Sequence, residues 1–312
     1  MTGLEFDLIA LIRSRADGGA GVVLGIGDDA ALLQPPIGKH LAITADTLNA
    51  GVHFPLGTAP ADIGWKSLAV NLSDLAAMGA QPAWCTLSLS VPDSDPAWWN
   101  GFLDGFLPLA RAHGIALVGG DTTRGPLSIA ITAIGLVDPD HALRRDGARK
   151  DDEVWVSGTL GDAAAALAHW PHPAAALRSR LERPQPRVEL GQRLIGIATA
   201  AVDVSDGLLA DLGHVCTASD RGAVIELERL PASPALQEFD AAQRVGWQAS
   251  GGDDYELCFT APAARRAEVE AIAHALALPL TRIGRIVAGR GVRALDARGQ
   301  QWHPERAGYT HF

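Results

Sequence analysis

Lys66-Ser-Leu-Ala-Val-Asn-Leu-Ser-Asp-Leu-Ala-Ala-Met-Gly-Ala80 is the stretch whose reading decides the fold. It closes a predicted helix, Ala59–Gly79, in which Pro60 suits the first helical position and Gly79 the stop. Leu68, Val70, Leu72 and Leu75 make most of the last four turns apolar, so the helix packs on several sides. Ser67, Asn71 and Asp74 interrupt it at i, i+4 and i+7, which is one narrow stripe. A buried polar stripe needs partners, either protein groups or a ligand.

Other stretches supply similar chemistry. His40–Leu48 reads as a strand whose alternation puts Thr44 and Asp46 on one face and Ile43 and Ala45 on the other. A hydroxyl and a carboxylate two residues apart can grip one hard cation, or they can simply face solvent. Gly25-Ile-Gly-Asp-Asp-Ala-Ala31 sets two adjacent carboxylates after a glycine-rich bend. Neighbouring anions resist burial unless a cation keeps both ionised. Asp recurs beside Gly, Ser or Thr at Gly119–Thr122 and Asp203–Gly207, and a second Gly-Gly-acid turn follows at Gly251–Asp254. Alone, each is an ordinary turn. Together they point to one site built of carboxylates.

The remaining pattern is mixed α/β. Helices are predicted over residues 4–15, Pro96–His113, Ala163–Ala168, Glu189–Thr199 and Ala263–Ala277. Strands are predicted at Trp84–Val91, a short Ala116–Val118, a buried Ser128–Val137, Val154–Ser157, Ala201–Val204, Arg221–Leu227, Leu257–Thr260 and Thr281–Val287. The charge-rich 138–152 reads as a linker between domains at 1–137 and 153–312, in line with a length of 312 residues. Gly158-Thr-Leu-Gly-Asp162, opening a helix, reads as a phosphate seat or a common turn. It is not a Walker A loop, because no Gly-Lys-Ser/Thr follows. Pro171–Pro186 reads as surface cover, and Asp206 as the cap of the helix that starts at Leu208.

Composition removes several classes of function. The chain is 47% hydrophobic and 20% charged, with net charge −10 and no Lys/Arg run longer than two. Nucleic acid and anionic membranes are therefore not expected as partners. Cys85, Cys216 and Cys258 are far apart and read as buried reduced thiols. No apolar run approaches the roughly 20 residues that span a bilayer, and Met1–Ala10 has no basic-then-apolar signal, so a cytoplasmic protein is expected. No nucleophile elbow, Cys/His pair or metal-binding His spacing is present. What remains is hard-cation chemistry, with Mg²⁺ bridging carboxylates and substrate phosphates. Phosphoryl transfer needs little beyond such positioning and charge neutralisation.

Six motifs carry a resemblance: Gly25–Ala31, Asp46-Thr-Leu with Gly51-Val-His-Phe54, Lys66–Ala80, Gly119-Gly-Asp-Thr-Thr-Arg-Gly125, Asp203-Val-Ser-Asp-Gly-Leu208 and Gly251-Gly-Asp-Asp-Tyr-Glu-Leu257. In order and spacing they resemble the thiamine-monophosphate kinase family, within the aminoimidazole ribonucleotide synthetase-like superfamily, from about residue 4 to Phe312. The resemblance implies ATP-dependent phosphorylation of thiamine monophosphate to thiamine diphosphate. It implies a two-domain α/β subunit whose N-terminal sheet forms a barrel across a homodimer, with a C-terminal α/β domain. Several Mg²⁺ ions would be held by Asp29, Thr44, Asp46, Asp74, Asp121, Asp203 and Asp206. Gly120, Asp121, Arg145 and Ser205 would contact ATP, and His53, Asp253 and Tyr309 the thiamine substrate. Two positions depart from the family pattern: Ala45 stands where Thr is usual, and Asp253 where Glu is usual. The alternatives are another ATP-dependent enzyme of the superfamily or a non-catalytic nucleotide- or thiamine-phosphate-binding protein. Selenophosphate synthetase chemistry would call for a reactive N-terminal Cys or selenocysteine, and the hydrogenase-maturation protein HypE for a C-terminal Cys. Neither stands in this sequence.

Overall fold

A computed structural model of the chain describes residues 4–93, 95–304 and 308–309. The chain divides into two compact units, Met1–Leu75 with Ala80–Asp140 and Ala76–Gly79 with His141–Phe312.

The first unit opens with α1 (Leu4–Arg15) and a small antiparallel pair, β1 (Val22–Leu24) and β2 (Leu32–Leu33). There follow β3 (His40–Asn49), α2 (Pro60–Ala77), β4 (Gln81–Val91), α3 (Pro96–His113), β5 (Ala116–Arg124) and β6 (Ser128–Val137). Four strands make one open sheet in the order β3-β6-β4-β5. β6 is antiparallel to both neighbours, and β5 runs parallel to β4. β6 alternates half-buried and buried residues rather than being buried throughout. The ends of α3 follow from its caps: the Asp95 carboxylate accepts from the Ala97 N–H, and Gly114 closes the helix in the left-handed region. Trp99, Phe102, Phe106 and Leu109 carry its buried face, while Trp98 stacks on Phe102 at 5.4 Å.

β5 is longer than its sequence suggests. Gly119-Gly-Asp-Thr-Thr looks like a turn, yet the strand continues through it to Arg124, paired with Thr86–Val91. A register shift at Cys85/Thr86 absorbs the irregularity. Gly120 has φ 148, and a Cβ there would stand 1.8 Å from the Leu87 carbonyl oxygen, so only glycine lets the strands approach.

The second unit contains, in order, β7 (Glu153–Ser157), α4 (Asp162–Ala168), α5 (Ala175–Glu182), α6 (Val188–Leu194), β8 (Ala200–Asp203), α7 (Leu208–Ser219), β9 (Gly222–Glu226), α8 (Ala241–Ser250), β10 (Leu257–Ala261), α9 (Arg266–Leu276), β11 (Leu280–Val287), β12 (Gly291–Leu295) and β13 (Gln301–Trp302). Its seven-stranded sheet has the order β13-β12-β9-β11-β7-β10-β8. Only β12 and β9 pair in parallel; the other pairs are antiparallel. Val154, Val156, Val202, Leu212, Ile225 and Ile283 belong to its core. Pro171–Pro186 is not surface cover. It holds α5, which buries Leu177 and Leu181 at i and i+4 against Ala163, Ala166 and Leu236. Among the described residues no helix is long and apolar enough to cross a membrane.

Candidate active site

The polar stripe of α2 meets the inner face of β3. Asn71 Oδ1 accepts from the Asp46 N–H at 3.2 Å, and the Thr44 hydroxyl donates to the Asp74 carboxylate. Asn71 also donates to the Ser67 carbonyl, and the Ser67 hydroxyl to the Gly64 carbonyl, both at 3.0 Å. A helix of period 3.6 and a strand of period 2 thus share one polar seam. Burial first, and the charge of Asp74 second, push Asp46 up to about 6. Two carboxylates, a hydroxyl and an amide oxygen form an all-oxygen donor set, which suits a hard divalent cation. Among the described residues no three His, Cys, Asp or Glu side chains gather closely enough to enclose a metal. That is compatible with Mg²⁺, which commonly takes one or two carboxylates and completes its shell with water and phosphate. Nearby, His53 Nδ1 accepts from the Asn49 N–H at 3.0 Å, and its carbonyl accepts from buried Lys66 at 2.9 Å.

Asp29, Gly120 and Asp121 line a cavity of about 760 Å³ in the same unit, along with the turn Gly25–Ala31. Asp28 Oδ1 accepts from the Asp29 N–H at 2.8 Å, so Asp28 shapes the turn. The cavity also receives Arg13 of α1, packed so closely on Gly27 that a Cβ there would meet its guanidinium at 2.6 Å. Nothing in the sequence singles out Arg13, one of two basic residues in the last turn of α1. The sheet register explains why the cavity acids do not join Asp46. Asp46, Ile131, Leu87 and Gly120 lie on one rung. Three strand spacings, roughly 14 Å, separate the ends of that rung.

The second unit gathers another group. Asp203, buried at the end of β8, leads into a loop that pairs with the segment before β10. The Asp253 N–H donates to the Ser205 carbonyl at 2.9 Å, the Tyr255 N–H to the Val204 carbonyl at 2.8 Å, and the Tyr309 N–H to the Asp206 carbonyl at 3.0 Å. Ser205, Asp206, Asp253 and Tyr309 are therefore neighbours. Arg145 is exposed, and its carbonyl accepts from the Ser219 hydroxyl at 2.8 Å. Asp206 does not cap α7: Gly207 stands at the N-cap, and Asp211, one turn inside the helix, holds the loop before it. Asp211 Oδ2 accepts from the N–H groups of Ser205, Asp206 and Gly207 at 3.0, 3.1 and 3.1 Å. Burial, then the charge of Asp206, raises Asp211 to about 6 against the pull of those donors.

The seat at Gly158–Asp162 is filled by the chain itself. The Gly161 N–H donates to both oxygens of the Asp254 carboxylate at 2.9 Å, and the Leu160 N–H to the Pro231 carbonyl at 3.1 Å. Gly158 has φ 58, and a Cβ there would lie 2.2 Å from Glu256 Oε1. The glycines make room for protein carboxylates instead of a free phosphate.

Known proteins resemble this chain in sequence and fold. Residues 27–137 match the family model for the N-terminal domain of AIR synthase related proteins, and residues 149–296 the model for the C-terminal domain. A thiamine-monophosphate kinase of Escherichia coli K12 is 45% identical over 318 residues, covering 99% of this chain and 98% of that protein. The chain belongs to the thiamine-monophosphate kinase family. A crystal structure of the thiamine-monophosphate kinase from Stenotrophomonas maltophilia K279a is 55% identical and superposes with a TM-score of 0.88, over 93% of this chain and 96% of that one. A structure of AaThiL complexed with AMPPCP and TMP is 31% identical, with a TM-score of 0.78 over 100% and 98% of the two chains. Within the kinase family frame, Arg145 falls between the two domain models and Tyr309 beyond the second.

Proposed function

We infer that this chain transfers the γ-phosphoryl group of ATP to thiamine monophosphate, giving thiamine diphosphate and ADP. End-to-end identity of 45% to a thiamine-monophosphate kinase carries the reading. The relative crystallised with AMPPCP and TMP supports ATP and thiamine monophosphate as the substrate pair.

Thr44, Asp46 and Asp74 are the residues whose contacts best suit Mg²⁺, with Asp29, Asp121, Asp203 and Asp206 as further carboxylate ligands. Bound Mg²⁺ would screen the repulsion between these carboxylates and the phosphates. Gly120, Asp121, Arg145 and Ser205 are assigned to ATP, and exposed Arg145 can fork onto a pair of phosphate oxygens. His53, Asp253 and Tyr309 are assigned to thiamine monophosphate, with Tyr309 able to stack on its cationic ring. The acceptor phosphate oxygen is already ionised near neutral pH, so no side chain has to remove a proton. That oxygen forms a bond to the γ-phosphorus as the bond to the bridging oxygen of ADP breaks in line. We assign the boundary between domains to 138–152, and cytoplasmic homodimers as the working form. The exposed apolar residues Leu41 and Ile43 on edge strand β3 support pairing of the first-unit sheets into a barrel.

The test is an ATP and Mg²⁺ assay with thiamine, thiamine monophosphate and unrelated phosphomonoesters side by side. ATP consumption that depends on thiamine monophosphate is expected. Binding without turnover refutes the kinase reading. Retention of configuration at a chiral γ-phosphate, or a phospho-enzyme burst, refutes the direct transfer.

A further inference from the structure

A buried ion network underlies the segment Gly252–Glu256. Glu256 is fully buried. Arg187 forks onto it, with Nε to Oε2 at 2.6 Å and Nη2 to Oε1 at 2.5 Å. Arg180 Nη2 reaches Oε1 at 2.7 Å, and the Ser157 hydroxyl reaches Oε2 at 2.5 Å. Two residues earlier, buried Asp254 is tied to the Gly161 N–H, and its carbonyl accepts from Arg180 at 3.4 Å. Arg180 also lies 3.9 Å from buried Asp162. Two arginines thus serve three buried carboxylates, Asp162 of α4 and Asp254 and Glu256 of the loop before β10, with Ser157 of β7 as a further donor. Burial works against the charge of Arg180, yet Glu256 and Asp254 raise it overall. Removing one partner of a buried, hydrogen-bonded charge pair leaves an uncompensated buried charge, so these groups hold one another in place.

The geometry they fix is unusual. Asp253 (φ 68) and Tyr255 (φ 49) both sit in the left-handed region, alternating with inward-facing Asp254 and Glu256. Such backbone persists only where its surroundings over-determine it. The result sets Asp253 and Tyr255 side by side, with the Tyr255 hydroxyl donating to Asp253 Oδ1 at 3.1 Å. Asp253 is the residue assigned above to thiamine monophosphate, and it is one methylene shorter than the usual Glu.

We propose that Arg180, Arg187 and Glu256 are positioning residues for the thiamine monophosphate site, holding Asp253 and Tyr255 so that the short carboxylate is aimed and oriented by the Tyr255 hydroxyl. The proposal rests on the kinase reading. It requires no contact between the network and the substrate. The network acts through the backbone of 253–255, which carries Asp253 itself and meets Ser205 through the Asp253 N–H to Ser205 carbonyl bond, so its effect falls mainly on thiamine monophosphate.

Steady-state kinetics of the full chain, with each substrate varied at saturation of the other, tests it. Glu256→Gln should raise KM for thiamine monophosphate roughly tenfold and leave KM for ATP within about twofold. Tyr255→Phe, which removes one hydroxyl, should raise the same KM about three- to fivefold. Arg187→Lys keeps the charge and loses the fork, so it should fall between the two. A misfolded fraction would lower kcat and move neither KM, which separates positioning from damage. If Glu256→Gln does not fold, the other two variants decide the matter. Folded variants with unchanged KM for thiamine monophosphate, or with both KM values raised together, overturn the proposal while the kinase reading stands. An unaltered chain with no thiamine monophosphate-dependent turnover overturns both.

Discussion

At the scale of single residues, the site is organised by carboxylates that repel one another. Asp46 and Asp74 face the same seam, and Asp46 is pushed up to about 6 by burial and by Asp74. The rise from 3.8 sets a ceiling of roughly 3 kcal/mol on the cost of keeping Asp46 charged there. Burial is the larger cause, so Asp74 accounts for less than half of it. Asp74→Asn should therefore stabilise the metal-free chain slightly, because the amide oxygen can still accept from Thr44 while the repulsion is gone. The same change should weaken Mg²⁺ binding by about tenfold or more, near 1.4 kcal/mol. Thermal melts with and without Mg²⁺ read both effects, as a higher metal-free Tm and a smaller Mg²⁺-induced rise. An unchanged Mg²⁺ response would mean that Asp74 serves only to hold β3 against α2.

At the scale of elements, periodicity shows which faces are polar and says little about which distant groups meet. The stripe Ser67, Asn71, Asp74 and the strand face Thr44, Asp46 are both legible, since each repeats with the period of its own element. Asp211 is not legible as the anchor of the Ser205–Gly207 loop because it lies inside the helix that follows. Arg180 falls in the segment read as surface cover, and nothing local marks Arg187, since their partner Glu256 is 76 and 69 residues away. The extension of β5 was hidden because its parallel pairing with β4 is non-local, whereas Gly-Gly-Asp locally suggests a turn. Helix α5 shows what such a misreading conceals. Leu181 is 1% exposed in a cluster with Ala163 and Leu236. Leu181→Ala should cost about 2–5 kcal/mol in urea unfolding. Leu167→Ala on neighbouring α4, where the side chain is exposed, should cost less than about 1 kcal/mol. Equal costs would return α5 to the surface. In α3, burial lowers His113 although a helix C-terminus alone would raise it. A lowered folded value means that protons bind the unfolded chain more tightly. The contribution of His113 is complete above its unfolded pKa of about 6.5 and is lost as pH falls through the lowered one. His113→Gln should flatten the fall in urea midpoint below about pH 6.5; an unchanged slope would place the acid sensitivity elsewhere.

At the scale of the molecule, the β1–β2 pair packs over part of the outer face of the first-unit sheet, and the outer face of edge strand β3 stays exposed. Leu41 is 45% exposed and Ile43 is 64% exposed on edge strand β3, while Val23 and Leu32 of the β1–β2 pair are also exposed. A long edge strand with apolar side chains is an invitation to pair, and proteins normally blunt such edges with charge, proline or cover. β3 carries Lys39 just before it and Asp46 on its inner face, but Leu41, Ile43 and Ala45 alternate along its outer face without a charge. A second copy of the same edge would cover that face and close the sheet edge by symmetry. Ile43→Asp separates this from a tolerated exposed surface. In a monomer the substitution changes an exposed residue and should move unfolding stability by less than about 0.5 kcal/mol. In a dimer it buries two unpaired carboxylates at the junction, at a cost on the order of several kcal/mol. Sedimentation equilibrium at micromolar concentration should therefore give a dimer for the unaltered chain and a monomer for the variant, with nearly equal monomer stability. A monomeric unaltered chain, or a variant that dimerises as strongly, would remove β3 from any subunit interface.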